Sequence, residues 1–276
     1  MHFVDFRNAE AQLRNILEEE LNYYGLKKAD SAPFKPATKE DAFTPIDLEE
    51  INIGGLDNLQ DCEQTDEFLY SRNSHPIRKI LDTVLMLAEV FAFRLKSQEA
   101  LKHFDFVDVC YSKLFGSSET IPSSYVLQQK AECYLKMVTE RDNTAVAKAV
   151  EQAEKSIKVI EDLAGKKDGG PEINNCLLAL RIQTLADAQR DGEQHVESEK
   201  TFRRCQTMIG NMFGEAHPAI CMYNGNLVTA LSIKSSLPAT SLAEKEQYKV
   251  TMQQIVDKNL AIAEAAYGAE SIHLLY

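Results

Sequence analysis

Four glycines recur at nearly constant intervals, each at the end of a stretch with helical periodicity: Gly116, Gly165, Gly214 and Gly268. The spacing is 49 residues from 116 to 165, 49 from 165 to 214, and 54 from 214 to 268. Glycine readily adopts the left-handed conformation that closes a helix, so each glycine predicts a helix end. A recurring interval of about 20 to 50 residues is typical of stacked repeats. The spacing therefore predicts an array of helical units.

The residues before each glycine repeat as well. Twelve residues before it stand Phe104, Ala153, Phe202 and Val256, and five before it stand Tyr111, Ile160, Ile209 and Ala263. One hairpin cannot bury such an apolar stripe alone, whereas stacked hairpins can. We therefore predict eight helices in four hairpins, over residues 75–94, 97–115, 122–139, 144–164, 172–190, 194–213, 218–234 and 241–267.

One turn carries a family resemblance. The segment Phe213-Gly-Glu-Ala-His-Pro218, followed by Asn226-Leu227, resembles the tetratricopeptide repeat (TPR) of the kinesin light chain type. In that family a B helix ends in an aromatic or leucine before glycine, and an acidic residue and His-Pro lead into the next A helix. Looser copies are Tyr267 to His273 and Ala100 to Gly116, and the resemblance covers about residues 75–276. The spacing here is longer than the family's, and the extra residues fit longer turns.

The resemblance implies an all-α fold, an α-solenoid of antiparallel helix hairpins that forms a TPR-like right-handed superhelix. The expected organisation is an N-terminal amphipathic helix (1–26), an acidic linker (27–71) and TPR-like repeats (72–276). The repeats are expected at 72–116, 117–165, 166–214 and 215–268, with a further one starting at 269–276. Because Leu274-Leu275-Tyr276 is apolar where a solenoid normally has a polar cap, we expect an N-terminal fragment of a longer array.

The N-terminal helix has one apolar face, formed by Phe3, Phe6, Leu13, Ile16, Leu17 and Leu21. Arg7, Glu10, Arg14 and Glu18 are expected near the opposite, polar face. A helix of this kind must bury its apolar face against another surface. It either folds back on the repeats as a cap or docks on a partner.

The charge is concentrated near the N-terminus. Residues 1–70 carry 16 acidic and 6 basic side chains, a net −10 of the total −12, which leaves −2 for residues 71–276. Between Lys39 and Arg72 there are ten acidic residues and no basic one, a composition that favours a solvated tether. The alternative is an acidic tail that lies on a basic surface of a partner or of its own repeats. No basic stripe that could neutralise phosphates is visible, so we expect no nucleic-acid partner.

Motifs of known chemistry are missing from the sequence. It contains no H-E-x-x-H, G-x-S-x-G, phosphate-binding loop or G-x-G-x-x-G, so we predict no catalytic residues, no metal site and no cofactor. The six cysteines include no C-x-x-C pair, which favours small buried apolar side chains in a reducing compartment. There is no run of 18 apolar residues and no secretory signal, so we expect a cytoplasmic protein without membrane insertion.

These features favour a non-catalytic scaffold or adaptor for protein–protein interaction. By resemblance, it serves cytoskeletal or ciliary work, either as a cargo adaptor or as a fixed structural component. The alternative is the regulatory TPR arm of an enzyme whose catalytic domain lies beyond residue 276. A partner's peptide or helix would bind the concave face, which A helices line. Polar A-helix positions between apolar ones are the candidate contacts: Asn174, Asn175, Arg181, Gln183, Asn224 and Asn226.

Overall fold

A computed structural model describes residues 6–23, 48, 51, 76–137, 143–165 and 171–268 of the chain. The chain divides into two compact units, Met1–Met137 and Val138–Tyr276. Most of the predicted acidic linker and the predicted start of a further repeat at 269–276 lie outside the described residues. The predicted division into helix, linker and repeats stays a prediction.

The first unit contains four described helices: α1 (Phe6–Tyr23), α2 (Pro76–Phe93), α3 (Ser97–Phe115) and α4 (Ile121–Met137). Each helix packs on the next one in this order. A single apolar core joins all four, and its largest fully buried members are Leu17, Leu81, Leu87, Phe91 and Phe104. Two residues of the predicted linker, Leu48 and Ile51, also contact this core.

The second unit contains five described helices: α5 (Asn143–Ala164), α6 (Pro171–Asp191), α7 (His195–Phe213), α8 (Ala219–Ser236) and α9 (Leu242–Tyr267). Here too each helix packs on its successor. Together with α2, α3 and α4, these are the eight helices that the sequence predicts, and every boundary agrees within two residues. Ser241 forms a capping box with Glu244 at the start of α9, which satisfies backbone N–H groups there.

Two hairpin turns that are separated by two repeat lengths of sequence have the same backbone conformation. Leu95, between α2 and α3, has φ 59°, and Glu193, between α6 and α7, has φ 60°. They are 98 residues apart, which is twice 49. In both turns the left-handed residue donates its backbone N–H to the carbonyl three positions back, and the next residue donates to the carbonyl five positions back, the pattern of a Schellman motif. The repeat therefore extends to the backbone geometry of the turns.

The helix-ending glycines differ from one another more than the sequence predicts. Gly116 is left-handed (φ 62°, ψ 10°), as expected. Gly214 and Gly268 combine positive φ (86° and 88°) with an extended ψ of 152°, a region that only glycine readily enters. Gly165 is not among the described glycines with positive φ. The left-handed prediction for Gly214 is therefore wrong in ψ, because the chain turns away from α7 at once.

Helix α1 lies antiparallel to α2, with Phe6 stacked on Phe93 and Thr83 donating to Glu20 (3.1 Å). This packing corresponds to the first of the two alternatives for α1, a cap on the repeats. Its faces differ from the prediction, because Glu10 (0% exposed) and Arg14 (5%) are buried whereas Ile16 is 44% exposed. The reason is that the turn after α2 carries two basic residues, Arg94 and Lys96, that a carboxylate on α1 can reach.

None of the helices in the described ranges has both the length and the apolar character needed to cross a membrane.

Candidate functional site

The six predicted contact residues fall into three groups. The side chain of Asn174 lies outside the described residues. Arg181 and Asn224 are buried, with 2% and 1% exposed. Asn175, Gln183 and Asn226 are half-buried on α6 and α8. The last three are therefore the ones that a partner could reach with little rearrangement.

Asn224 is held within the second unit by hydrogen bonds to two other helices. Its Oδ1 accepts from Nε2 of Gln206 on α7. Its Nδ2 donates to Oδ1 of Asn259 on α9 (2.7 Å), and Nδ2 of Asn259 donates to the carbonyl of Cys221 (3.2 Å). These bonds satisfy a buried amide and connect α7, α8 and α9. In this conformation Asn224 serves the unit's own packing.

A cavity of about 450 Å³ lies where the start of α6 meets the end of α7. Its walls are of mixed polarity and combine sulfur-containing and aromatic side chains with two side-chain amides: Asn175, Cys176, Met208, Asn211, Met212 and Phe213. Pockets that bind small groups are typically apolar with a few polar groups that fix orientation. The cavity is therefore suited to an apolar side chain that enters beside a backbone amide.

The cavity wall is adaptable in shape. Cys176 Sγ lies 3.9 Å from Met212 Sδ, and Met208 lines the same space. Methionine is unbranched and polarizable, so it adjusts to differently shaped partners. Phe213, 45% exposed, stacks on His217 with ring centroids 4.9 Å apart. The aromatic pair gives the cavity a rigid edge beside a flexible wall.

Two amide atoms on the A helices have no hydrogen-bond partner although they are buried. They are Oε1 of Gln183 on α6, an acceptor, and Nδ2 of Asn226 on α8, a donor. Buried polar atoms in native proteins nearly always have a partner, and a missing one costs free energy. A peptide group offers both an N–H and a C=O. A ligand that reached Gln183 with a donor, or Asn226 with an acceptor, would supply the missing partner.

Most of the cavity residues were not among the predicted contacts. Met212 and Phe213 stand two and one residues before the closing glycine, at positions where the repeat pattern predicts buried core side chains. The signal that could have found them is the length of the turn: a helix end followed by a wide turn leaves such side chains without a covering neighbour. The sequence predicts the A helices as the contact surface, which stays a prediction, and the cavity lies partly on the end of a B helix, α7.

A buried thiol with a raised pKa stays protonated and is therefore a poor nucleophile. Burial raises the pKa of the Cys205 thiol to about 12, and its Sγ donates to the carbonyl of Ala179 (3.1 Å). Burial likewise raises the pKa of Tyr223 to about 12, with the nearby Cys205 and Cys176 thiols acting in the same direction. No group of three or more His, Cys, Asp or Glu side chains that could hold a metal ion occurs among the residues that the structure describes.

Comparison with known proteins places the fold. No protein-family model matches the chain, and no curated protein matches its sequence. A solved structure does match: the crystal structure described as nearly identical TPR-like repeats of a candidate kinesin light chain from Podosopora anserina. The match covers 94% of this chain and 98% of that chain, with a TM-score of 0.50 and 16% sequence identity.

The fold is TPR-like. At this identity the likeness concerns the fold alone, and it confirms the resemblance that the sequence shows at Phe213 to Pro218. It also confirms the predicted fold class, an all-α array of helix hairpins. In the TPR-like frame α6 and α8 are A helices and α7 is a B helix, so the half-buried amides and the cavity lie on neighbouring helices of one unit.

Proposed function

We propose that the TPR-like chain is a non-catalytic scaffold for protein–protein interaction, and that its second unit binds a peptide or helix of a partner. The observation that carries the proposal is the presence, on neighbouring helices, of a cavity lined by sulfur-containing, aromatic and amide side chains and of unsatisfied or half-buried side-chain amides on α6 and α8. Amides recognise the peptide backbone, and the cavity selects a side chain. The raised thiol pKa values favour binding over covalent catalysis.

The role that follows is that of an adaptor or a structural part of a cytoskeletal or ciliary assembly. The kinesin light chain named in the comparison supports this direction only through the fold that the two chains share. The net charge of −2 over residues 71–276 supports a partner recognised by amides and apolar contacts more than by charge.

The test is selection of peptides from a random library on the full chain, followed by affinity measurements with variants. Gln183→Ala and Asn226→Ala each remove one amide, and we expect each to weaken the selected peptide about two- to tenfold, the contribution of one hydrogen bond. Gln254→Ala is the matched control, since Gln254 is exposed on α9 and does not line the cavity.

Two results would overturn the proposal. One is a set of selected peptides whose affinity is the same for all three variants and for Met208→Ala. The other is a chain that selects no peptide but turns over a small molecule, which would support an enzymatic or enzyme-regulatory role instead.

A further inference from the structure

Helix α1 covers a surface that is suited to a helix. Leu17 and Leu21 of α1 are almost fully buried within the apolar core of the first unit. At the other end of the same surface, the rings of Phe6 and Phe93 stack with centroids 5.6 Å apart. The contact surface runs along α2 over most of the length of α1, which is the geometry of one amphipathic helix on another.

A buried carboxylate fixes the register of α1 on this surface. Glu10, 0% exposed, bonds to Arg14 of its own helix (2.9 Å) and to Arg94 at the end of α2. Lys96 approaches the same carboxylate at 3.6 Å, and its Nζ lies 5.3 Å from the centre of the Phe91 ring. Two cations and an aromatic ring of this surface therefore face the carboxylate of α1. Such a surface selects a helix that carries a carboxylate.

The fit of α1 is incomplete at its centre. Nε of Arg14, a donor, and Nε2 of His103 are both buried without a hydrogen-bond partner. Nδ1 of His103 lies 2.8 Å from the carbonyl of Glu99, so this nitrogen carries the proton and Nε2 is an acceptor. Both side chains lie against Phe91. Arg14 belongs to α1 itself, whereas His103 belongs to the surface beneath it, so a different helix with a hydroxyl at this place could donate to Nε2 of His103, which α1 does not.

The connection of α1 to the repeats is also unusual in length. Residues 24–75 separate α1 from α2, a total of 52, whereas residues 94–96 alone separate α2 from α3. Because no short turn joins α1 to α2, the docking of α1 is a separate step from the formation of the α2–α3 hairpin, although Leu48 and Ile51 of the connection also contact the core. A helix from another protein can therefore compete with α1, which it could not do against a helix joined by a three-residue turn.

We propose that the surface beneath α1 is a docking site for an acidic amphipathic helix of a partner protein, and that α1 is its internal competitor. The partner helix carries an aromatic residue, a carboxylate four positions later, and leucines eleven and fifteen positions after the aromatic, the pattern of Phe6, Glu10, Leu17 and Leu21. This site is separate from the cavity in the second unit and does not depend on it.

The experiment uses the full chain and a fluorescein-labelled peptide of residues 6–23 as the probe. Glu10→Gln in the chain removes the carboxylate of α1 and weakens its docking. We expect this variant to bind the peptide at least about tenfold more tightly than the wild-type chain does, by fluorescence anisotropy. Glu19→Gln is the matched control, because Glu19 is exposed on the same helix, and it should bind as the wild-type chain does.

The peptide itself provides the second arm. A peptide with Glu10→Gln should bind the Glu10→Gln chain at least about tenfold more weakly than the unchanged peptide, and the difference should shrink as salt is raised. Equal affinity of the two peptides, or no gain for the Glu10→Gln chain over the Glu19→Gln chain, would overturn the proposal.

Hydrogen exchange of the wild-type chain keeps the proposal testable if the Glu10→Gln chain does not fold. A displaceable α1 exchanges its amide protons by local opening, faster than the α2 and α3 amides of the same core. Exchange of α1 at the same rate as α2 and α3 would mean that α1 opens only with the whole unit, and the proposal would fail.

Discussion

The α2–α3 hairpin of the first unit and the α6–α7 hairpin of the second share one frame, offset by 98 residues. Phe104 and Phe202 occupy the same position and are both 0% exposed. Leu95 and Glu193 occupy the same position in two turns of the same type. The apolar positions and the turn geometry are therefore what the repeat preserves.

The same frame encloses different interiors. In the first hairpin Phe91 packs edge-on against His103, with centroids 4.9 Å apart. At the matching positions of the second, Gln189 Oε1 accepts a hydrogen bond from Thr201 (2.7 Å). The basic Lys96 that contacts Glu10 corresponds to the neutral Gln194. A repeat thus fixes backbone and large apolar side chains, while the sites between them are free to acquire separate chemistry.

The largest expected effect tests the buried core position that the two hairpins share. Phe104→Ala and Phe202→Ala each leave a large cavity in a core, and we expect each to lower the free energy of unfolding by about 3–5 kcal/mol. Hydrogen exchange should place the loss in the first unit for Phe104→Ala and in the second for Phe202→Ala. Val109→Ala, at a 52% exposed position on α3, is the control and should have little effect. A small effect at either phenylalanine would mean that the two hairpins do not share one core position.

The next prediction tests how the interiors of the two hairpins differ, through the effect of His103 on the pH dependence of stability. Burial lowers the pKa of His103 from 6.5 to about 4, so the folded chain holds this side chain neutral. The stability that comes from a neutral, buried His103 is fully present above pH 6.5 and is lost as the pH falls towards 4. The difference corresponds to about 3 kcal/mol of unfolding free energy.

His103→Thr introduces the residue of position 201 and should remove this part of the pH dependence. Urea unfolding at pH 7 and pH 4 of both proteins measures it. The same loss of stability on acidification in both proteins would contradict a buried neutral histidine.

A smaller effect concerns two glycines of the second unit. Gly214 has φ 86° and ψ 152°, which an alanine cannot adopt without strain, so Gly214→Ala should destabilise by about 1–3 kcal/mol. Gly225 lies inside α8, and nothing lies within 4 Å of an added Cβ. Gly225→Ala should therefore stabilise by about 1 kcal/mol, since alanine favours helix interiors. Thermal melts of both variants give the signs, and equal signs would contradict the assignment.

The smallest effect returns to the matched turns. Leu95→Gly and Glu193→Gly each relieve the strain of a left-handed residue but add freedom to the unfolded chain. We expect both to stabilise slightly, by about 0.5 kcal/mol, and by similar amounts because the two φ angles agree. Chemical denaturation of the two variants in parallel would reveal a difference in sign, which would show that the turns are not equivalent.

The sequence was sufficient for the helices, because glycine and proline punctuation and the apolar positions before Gly116 and Gly214 are local signals. It was not sufficient to tell which polar side chains of the candidate site are exposed. Asn224 was selected as a polar position between apolar ones, yet it is 1% exposed. Helix α8 is apolar around most of its circumference, so its pattern does not reveal which side faces α7 and α9.

Glu10 shows the same limit in α1. A glutamate beside Arg7 and Arg14 predicts a solvated face, and only the approach of Arg94 and Lys96 from α2 makes burial favourable. Pairings between residues 84 or more positions apart leave no mark in the periodicity of either helix. The cavity at the end of α7 was missed for a related reason, since it depends on what the turn leaves uncovered.

One turn position differs between the two hairpins in how it contacts the helix before it. Gly192 comes directly after α6 and lies so close to α5 that an added Cβ would be 2.6 Å from Cγ1 of Val146. The matching position in the first hairpin, 98 residues earlier, is Arg94, which contacts Glu10 of α1. In each case this position faces the helix that precedes the hairpin. A glycine there allows close packing with that helix, whereas an arginine attaches it by charge. The same turn position therefore holds the preceding helix by close backbone packing in one hairpin and by an ion pair in the other.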